Sequence, residues 1–256
     1  MIGVDNMSEK RTHPDYLQKA AMYDLLAQFY KYSFPNLHMH YYLKHIQYMN
    51  KAMNFMRTNP QPVQGEATIR VLHTSPDSPN VDIYIDGHRV IRDLPFNNVS
   101  GYLSLKAGKH HIDIYPAGNM VDSVLNKKIT VEPGKSYTLA SIDSVKKMRL
   151  LVFQNKPRVP ANESKVRFIN LSPDTPPLDI AVKDRDVVFP KVSYKQATDY
   201  LGLTPMTVDL EIREADTKNV LLPMPRVQFL PNESYTIVFV GLANNEPTFR
   251  FIKIKD

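Results

Sequence analysis

Between residues 13 and 58 the apolar side chains recur every three or four positions, and from residue 67 onward they alternate with polar ones. The first period is that of a helix and the second that of a strand, so the pattern predicts a helical segment followed by a long β region. Met22, Leu25, Phe29 and Tyr32 form one helical stripe; Met39, Tyr42, Ile46, Met49, Met53 and Met56 form another. Pro35 disfavours helical geometry at Phe34 and separates the two. The simplest arrangement is an antiparallel hairpin over residues 1–58 in which the stripes meet as a coiled-coil-like seam. Thr12 is placed to cap the first helix, with Pro14 and Asp15 in its first turn, where a missing donor and a negative charge are both tolerated.

Residues 59–66, with Pro60, Pro62 and Gly65, read as a linker. Beyond it Ala67, Ile69 and Val71 alternate with neighbours on the other face, as do Val81, Ile83 and Ile85, which predicts strands with one buried face. Asp86-Gly87 predicts a type I′ hairpin, since both central positions of that turn need positive φ. A further strand pair is expected around Lys106-Ala107-Gly108-Lys109, joining Tyr102–Leu105 to His111–Tyr115. The strands then return. Val71-Leu72-His73-Thr74-Ser75-Pro76-Asp77 reappears as Phe168-Ile169-Asn170-Leu171-Ser172-Pro173-Asp174, 97 residues on, and Tyr102-Leu103 returns as Tyr200-Leu201. A period near one hundred residues suits a duplicated domain rather than a solenoid. The expected fold is therefore mainly β: two tandem antiparallel β-sandwiches of immunoglobulin-like or transthyretin-like form, at 67–158 and 159–256, behind an α-helical hairpin. In the second copy Val166, Phe168, Ile180, Val182, Val208, Leu210, Ile212, Tyr235, Ile237, Phe239, Phe249 and Phe251 are the expected inward positions, and Lys183-Asp184-Arg185-Asp186 replaces the Asp-Gly turn.

Ser-Pro-Asp-x-Pro-x-Val-Asp-Ile-Tyr-Ile-Asp-Gly from Ser75, then Tyr102-Leu103 with Ala107-Gly108, Pro116-Ala117-Gly118 and Pro133-Gly134-Lys135-Ser136-Tyr137, resemble a bacterial family of tandem β-sandwich domains of unknown function. The resemblance covers 67–153 and, more loosely, 164–256. It implies a secreted or envelope-attached setting, and it carries no catalytic residues to this chain.

Composition narrows the chemistry. The chain has no cysteine, which excludes disulfides, thiolate nucleophiles and zinc fingers. Its net charge of +6 is spread thinly, with seven basic and four acidic residues over 1–60, thirteen and nine over 61–160, and twelve and thirteen over 161–256. Lys127-Lys128 and Lys146-Lys147 are short basic pairs beside acids, so a solvated face is expected rather than a nucleic-acid groove. No apolar run reaches the length of a membrane span, and Met1–Lys10 lacks the order of a secretory signal, so no transmembrane segment is expected. Synthesis in the cytoplasm and deposition on a cell surface or spore would reconcile that amino terminus with the family's setting.

Ser75, Pro76 and Asp77, like Ser172, Pro173 and Asp174, are expected to build turns rather than catalyse. His73 next to Ser75 and Asp77 offers the residue types of a hydrolase triad, but the second copy has Asn170 in place of the histidine, and triad members converge from separate elements. Asp77, Asp82 and Asp86, echoed by Asp174 and Asp179, lack a calcium-loop spacing. His38, His40 and His45 lie in the hairpin, and His38 and His45 share a helix face yet lie about 10 Å apart along it, too far to chelate one zinc ion unaided; adjacent His110 and His111 point to opposite strand faces. No metal, cofactor or enzymatic activity is expected.

Seven of the fourteen tyrosines lie in the hairpin, more than one shared seam can hide. Either the first β domain covers them, or Tyr23, Tyr30, Tyr41 and Tyr48 mark a docking surface for self-association or a protein partner through residues 12–58. The expected function is a non-enzymatic structural, adhesive or assembly protein of a bacterial surface layer, the spore being one setting. The alternative is a module for glycan or peptide using loops at one sandwich end, with Tyr84 and Tyr115 facing the ligand.

Overall fold

The computed structural model describes residues 13–58 and 65–256, which fall into two compact units, one through Pro62 and one from Val63. The proposed cap Thr12, the segment Met1–Lys10 and linker residues 59–64 lie outside the described residues.

In the first unit, α1 (His13–Tyr30) and α2 (Pro35–Thr58) form the hairpin, with Pro35 opening α2 as a first-turn proline should. Its seam is not the expected one. The buried residues are Ala20, Ala27 and Ala52, small enough for the backbones to approach closely. At that range the His38 Nδ1–H donates to the Ala27 carbonyl at 2.8 Å and the His45 Nδ1–H to the Ala20 carbonyl at 3.0 Å. A carbonyl only accepts, so both protons sit on Nδ1. The large apolar stripes turn outward: Leu25 is 68% exposed, Phe29 75% and Tyr32 86%, and Met22, Met39, Tyr42, Ile46, Met53 and Met56 are exposed as well. Periodicity identified the faces correctly and paired the wrong ones, because alanines permit an approach that methionines and phenylalanines would hold apart.

The second unit contains two sandwiches. In the first, β1 (Glu66–His73), β2 (Val81–Ile85), β3 (His88–Leu94), β4 (Leu103–Lys106), β5 (Gly108–Pro116), β6 (Leu125–Val131), β7 (Ser136–Ile142) and β8 (Arg149–Asn155) form sheets ordered β4-β1-β7-β8 and β3-β2-β5-β6. Asp86 and Gly87 take φ of 50° and 81°, the two left-handed positions of the expected turn. Two expectations are corrected. β4 and β5 do not pair: the chain crosses from one sheet to the other at Ala107, so β4 lies against β1 and β5 against β2 and β6. Nor is every pair antiparallel, since β1 and β7 run parallel from Thr68 opposite Ser136 to His73 opposite Ser141.

The second sandwich repeats this plan with β9 (Ser164–Asn170), β10 (Leu178–Val182), β11 (Val187–Val192), β12 (Leu201–Leu203), β13 (Met206–Glu214), β14 (Val220–Phe229), β15 (Glu233–Val240) and β16 (Arg250–Lys255). Its sheets are β12-β9-β15-β16 and β11-β10-β13-β14, with β9 and β15 parallel. All the expected inward residues line its interior, Phe168, Ile237 and Phe239 among the most deeply buried.

A third core joins the copies. Leu72, Ala140 and Ile142 from the first sandwich pack with Ile169, Leu171, Val238, Val240 and Ile254 from the second. β1, β7, β9 and β15 are therefore buried on both faces, against the expectation of one.

Candidate functional site

The junction between the copies carries most of the buried polar chemistry. Arg70 and Arg167 hold equivalent places in β1 and β9, and each reaches across to the last strand of the other sandwich. The Arg70 guanidinium donates to Thr138 Oγ1 at 2.9 Å, to the Lys255 carbonyl at 2.6 Å and to Asp256 Oδ1 at 2.6 Å. Arg167 donates to Thr236 Oγ1 at 3.0 Å, to the Gln154 carbonyl at 2.8 Å and to Asn155 Oδ1 at 2.6 Å. Tyr102 stacks on Arg70 with its centroid 4.9 Å away and Tyr200 on Arg167 at 4.7 Å. The two clamps are related by an approximate two-fold axis, as an isologous interface requires. They differ in charge: Asp256 is a carboxylate, Asn155 a neutral amide. Burial lowers the pKa of Arg167, and burial pushes the Tyr200 phenol, which donates to Asp256 Oδ2 at 2.8 Å, up to about 12.

The Ser-Pro-Asp turns lie at one end of this junction. The Ser75 hydroxyl donates to the Asp143 carbonyl at 2.6 Å, and Asp77 Oδ1 accepts the Val145 N–H at 2.8 Å. In the second copy the Ser172 hydroxyl donates to the Gly241 carbonyl at 2.8 Å, and Asp174 accepts the N–H groups of Ala243 and Asn244 at 2.7 and 3.2 Å. Each turn thus clasps the loop leaving β7 or β15. His73 is not aimed at Ser75: its Nδ1 meets Ser141 Oγ at 3.0 Å and its Nε2 the Pro79 carbonyl at 3.2 Å, so His73, Ser75 and Asp77 do not assemble as a triad. Burial lowers the His73 pKa and favours the neutral ring. Between the turns opens a recess of about 550 Å³ lined by Pro76, Asp77, Pro173 and Leu242, with Lys147 and Arg149 also on its wall. Burial alone would raise the Asp143 carboxyl, but hydrogen bonds from Arg149 and Tyr194, both at 2.6 Å, together with the Lys195 charge, outweigh it and hold its pKa below the usual value. The recess therefore presents largely compensated charge.

The remaining acids and histidines are dispersed. Asp82 and Asp179 hold the bulged edge strands by accepting the Asp93 and Lys191 N–H groups, each at 2.7 Å. Asp86 accepts the His111 N–H at 2.8 Å and meets His110 Nδ1 at 2.6 Å. Among the described residues no three His, Asp or Glu side chains converge as a metal site, and no helix is long and apolar enough to cross a membrane.

Tyr23 stacks on both Tyr41 and Tyr48 across the hairpin, with centroids 6.3 and 5.4 Å apart, and Tyr30 stacks on Tyr41 at 5.7 Å. These four half-buried rings form a ladder between the helices, and Lys44, Lys19 and Lys51 lie over it. Tyr84 and Tyr115 pack edge to face at 5.1 Å on the outer face of the sheet β3-β2-β5-β6. The arginine clamps escaped sequence reasoning. Their signal was Arg70 and Arg167 recurring at one register among apolar neighbours, together with the repeated Tyr-Leu pair.

Two copies of one eight-stranded sandwich, fused by a shared core and clasped at Ser-Pro-Asp turns, define a tandem β-sandwich protein. The model of a domain of unknown function (DUF4397) matches residues 67–181 and 164–256, and the chain belongs to that family. Among solved structures it is similar to the C-terminal domain of AlgF from P. aeruginosa, at 17% identity over 37% of this chain and 99% of that one, with a TM-score of 0.30. A fimbrial assembly protein from Parabacteroides distasonis gives 9% identity over 76% and 97% of the two chains and a TM-score of 0.22. The Bacillus anthracis TIE protein gives 12% over 75% and 41%, also at 0.22. No curated protein matches the chain.

Proposed function

We propose that the protein is a non-enzymatic structural and assembly component of a bacterial surface layer, with the paired sandwiches as a rigid body and the hairpin as its docking element. The observation that carries this reading is the hairpin's inverted packing: alanines fill the seam, while Met39, Tyr42, Ile46 and Met53 of α2 stay exposed at heptad-like spacing. Such a seam suits a second copy of the same hairpin, two of which would close a four-helix bundle. The full chain is expected to be a dimer or larger by light scattering, and Ile46→Glu is expected to return it to monomer. A wild-type monomer would remove the main support for assembly. Deposition at a cell surface or on a spore is the finer part of the proposal, and fractionation of sporulating and vegetative cells tests it; a purely vegetative cytosolic pool sinks it.

A further inference from the structure

The outer face of the first sandwich differs from that of the second around one shared residue. Asp82 and Asp179 are equivalent, each accepting a backbone N–H from the bulged edge strand at 2.7 Å. The second oxygen of Asp179 is met by the Asp216 N–H at 3.1 Å. In the first copy Gly118 stands in that place and its N–H does not bond to Asp82. The second Asp82 oxygen has only Arg89 at 3.4 Å, although the side chain is 2% exposed. A buried carboxylate oxygen with one long contact has unused accepting capacity. It faces a recess of about 520 Å³ whose walls are Arg89, Arg92, Asp93, Ala117 and Gly118. Arg92 makes no hydrogen bond or ion pair to any described residue.

Strand register sets Tyr115 opposite Asp82 and Tyr84 opposite Arg89. The edge-to-face tyrosine pair therefore continues the recess along the same sheet face. In the second copy the residues at these places are Ala181, Val187, Pro190 and Arg213, so the scaffold aspartate is kept while the tyrosines and both arginines are replaced.

Three kinds of group converge here: an acceptor for hydroxyl donors, the uncommitted guanidinium of Arg92 for an anion beside an Arg89 already paired to Asp82, and an aromatic pair for an apolar ring face. The geometry points to a binding site for an acidic saccharide, a sugar unit bearing a carboxylate or sulfate, on the outer face of the first sandwich only. The volume is within the range of small-ligand sites and suits one or two sugar units. This inference does not depend on the hairpin reading.

The test is binding of the full chain to polygalacturonate, with dextran as the neutral control, by calorimetry at about 0.15 M salt, where long-range attraction to the basic chain is screened. Wild type is expected to bind polygalacturonate and not dextran. Arg92→Gln and Tyr115→Ala, both checked by circular dichroism, are each expected to weaken binding about tenfold. Lys218→Gln removes the same charge from an exposed position in the second copy and is expected to change affinity less than twofold. No binding by wild type, equal losses in Arg92→Gln and Lys218→Gln, or unchanged affinity in Arg92→Gln would each overturn the assignment. So would full competition by inorganic phosphate at the polymer's own concentration of acid groups, which would make this a simple anion site.

Discussion

Arg70 and Arg167 are both buried at the junction, yet only one carboxylate, Asp256, is shared between their clamps. Arg167 instead ends on the neutral amide oxygen of Asn155, whose nitrogen donates to Tyr102 Oη at 2.9 Å. Asn155→Asp would give the second clamp the charge of the first, and Tyr102 would then donate as Tyr200 does to Asp256. The gain is expected to be about 1 kcal/mol, since a charge-assisted bond replaces a neutral one, and thermal melting reads it. His73 offers a test in the acid range. Its pKa is lowered from 6.5 by burial, so as pH falls the unfolded chain takes up the proton first. Stability is therefore full above pH 6.5 and declines as pH drops from there toward the folded-state value. His73→Asn, which installs the residue found at Asn170, is expected to flatten that decline. Urea midpoints of both proteins at mildly acidic and mildly basic pH measure it.

The helices show where a pattern stops being informative. Spacing placed both helices and their apolar stripes, but which stripe meets which depends on side-chain size at the contact, and Ala20, Ala27 and Ala52 register as unremarkable in a hydrophobic count. Ala27→Leu is expected to cost the hairpin about 1–3 kcal/mol by overpacking and to break the His38 bond to the Ala27 carbonyl, lowering the helical melt seen by far-ultraviolet circular dichroism. The strands were more legible. Alternation located the inward residues of both sandwiches, and the repeated Ser-Pro-Asp announced turns whose serine and aspartate do satisfy backbone groups. What alternation concealed was the second buried face. Val71-Leu72, Leu139-Ala140 and the run Ile237–Val240 are continuous apolar stretches, the signature of strands covered on both sides. The Asp82 recess was illegible for a different reason: its parts come from β2, β3 and the loop after β5, which only the sheet register brings together.

At the scale of the whole β unit, the third core decides whether the copies behave as two domains or as one. Eight buried side chains from both sandwiches meet there, with the arginine clamps beside them. A buried aliphatic side chain contributes about 1.5–3 kcal/mol relative to exposure, so each copy relies on the other to cover the outward faces of its parallel strands. Separation would expose Leu72, Ile142, Ile169 and Val238 together and leave both guanidinium groups without their partners across the junction. The copies should consequently unfold in one step. Ile169→Ala truncates a residue of the second copy that belongs to the shared core and not to that copy's own interior. It is expected to cost about 2–5 kcal/mol, and the loss should be felt in both copies. Hydrogen exchange followed by mass spectrometry resolves this: peptides from β2 and β5 should lose as much protection as peptides from β10 and β13. Wild-type protection in the first copy alongside weakened protection in the second would mean that the shared core packs the copies together without coupling their folding.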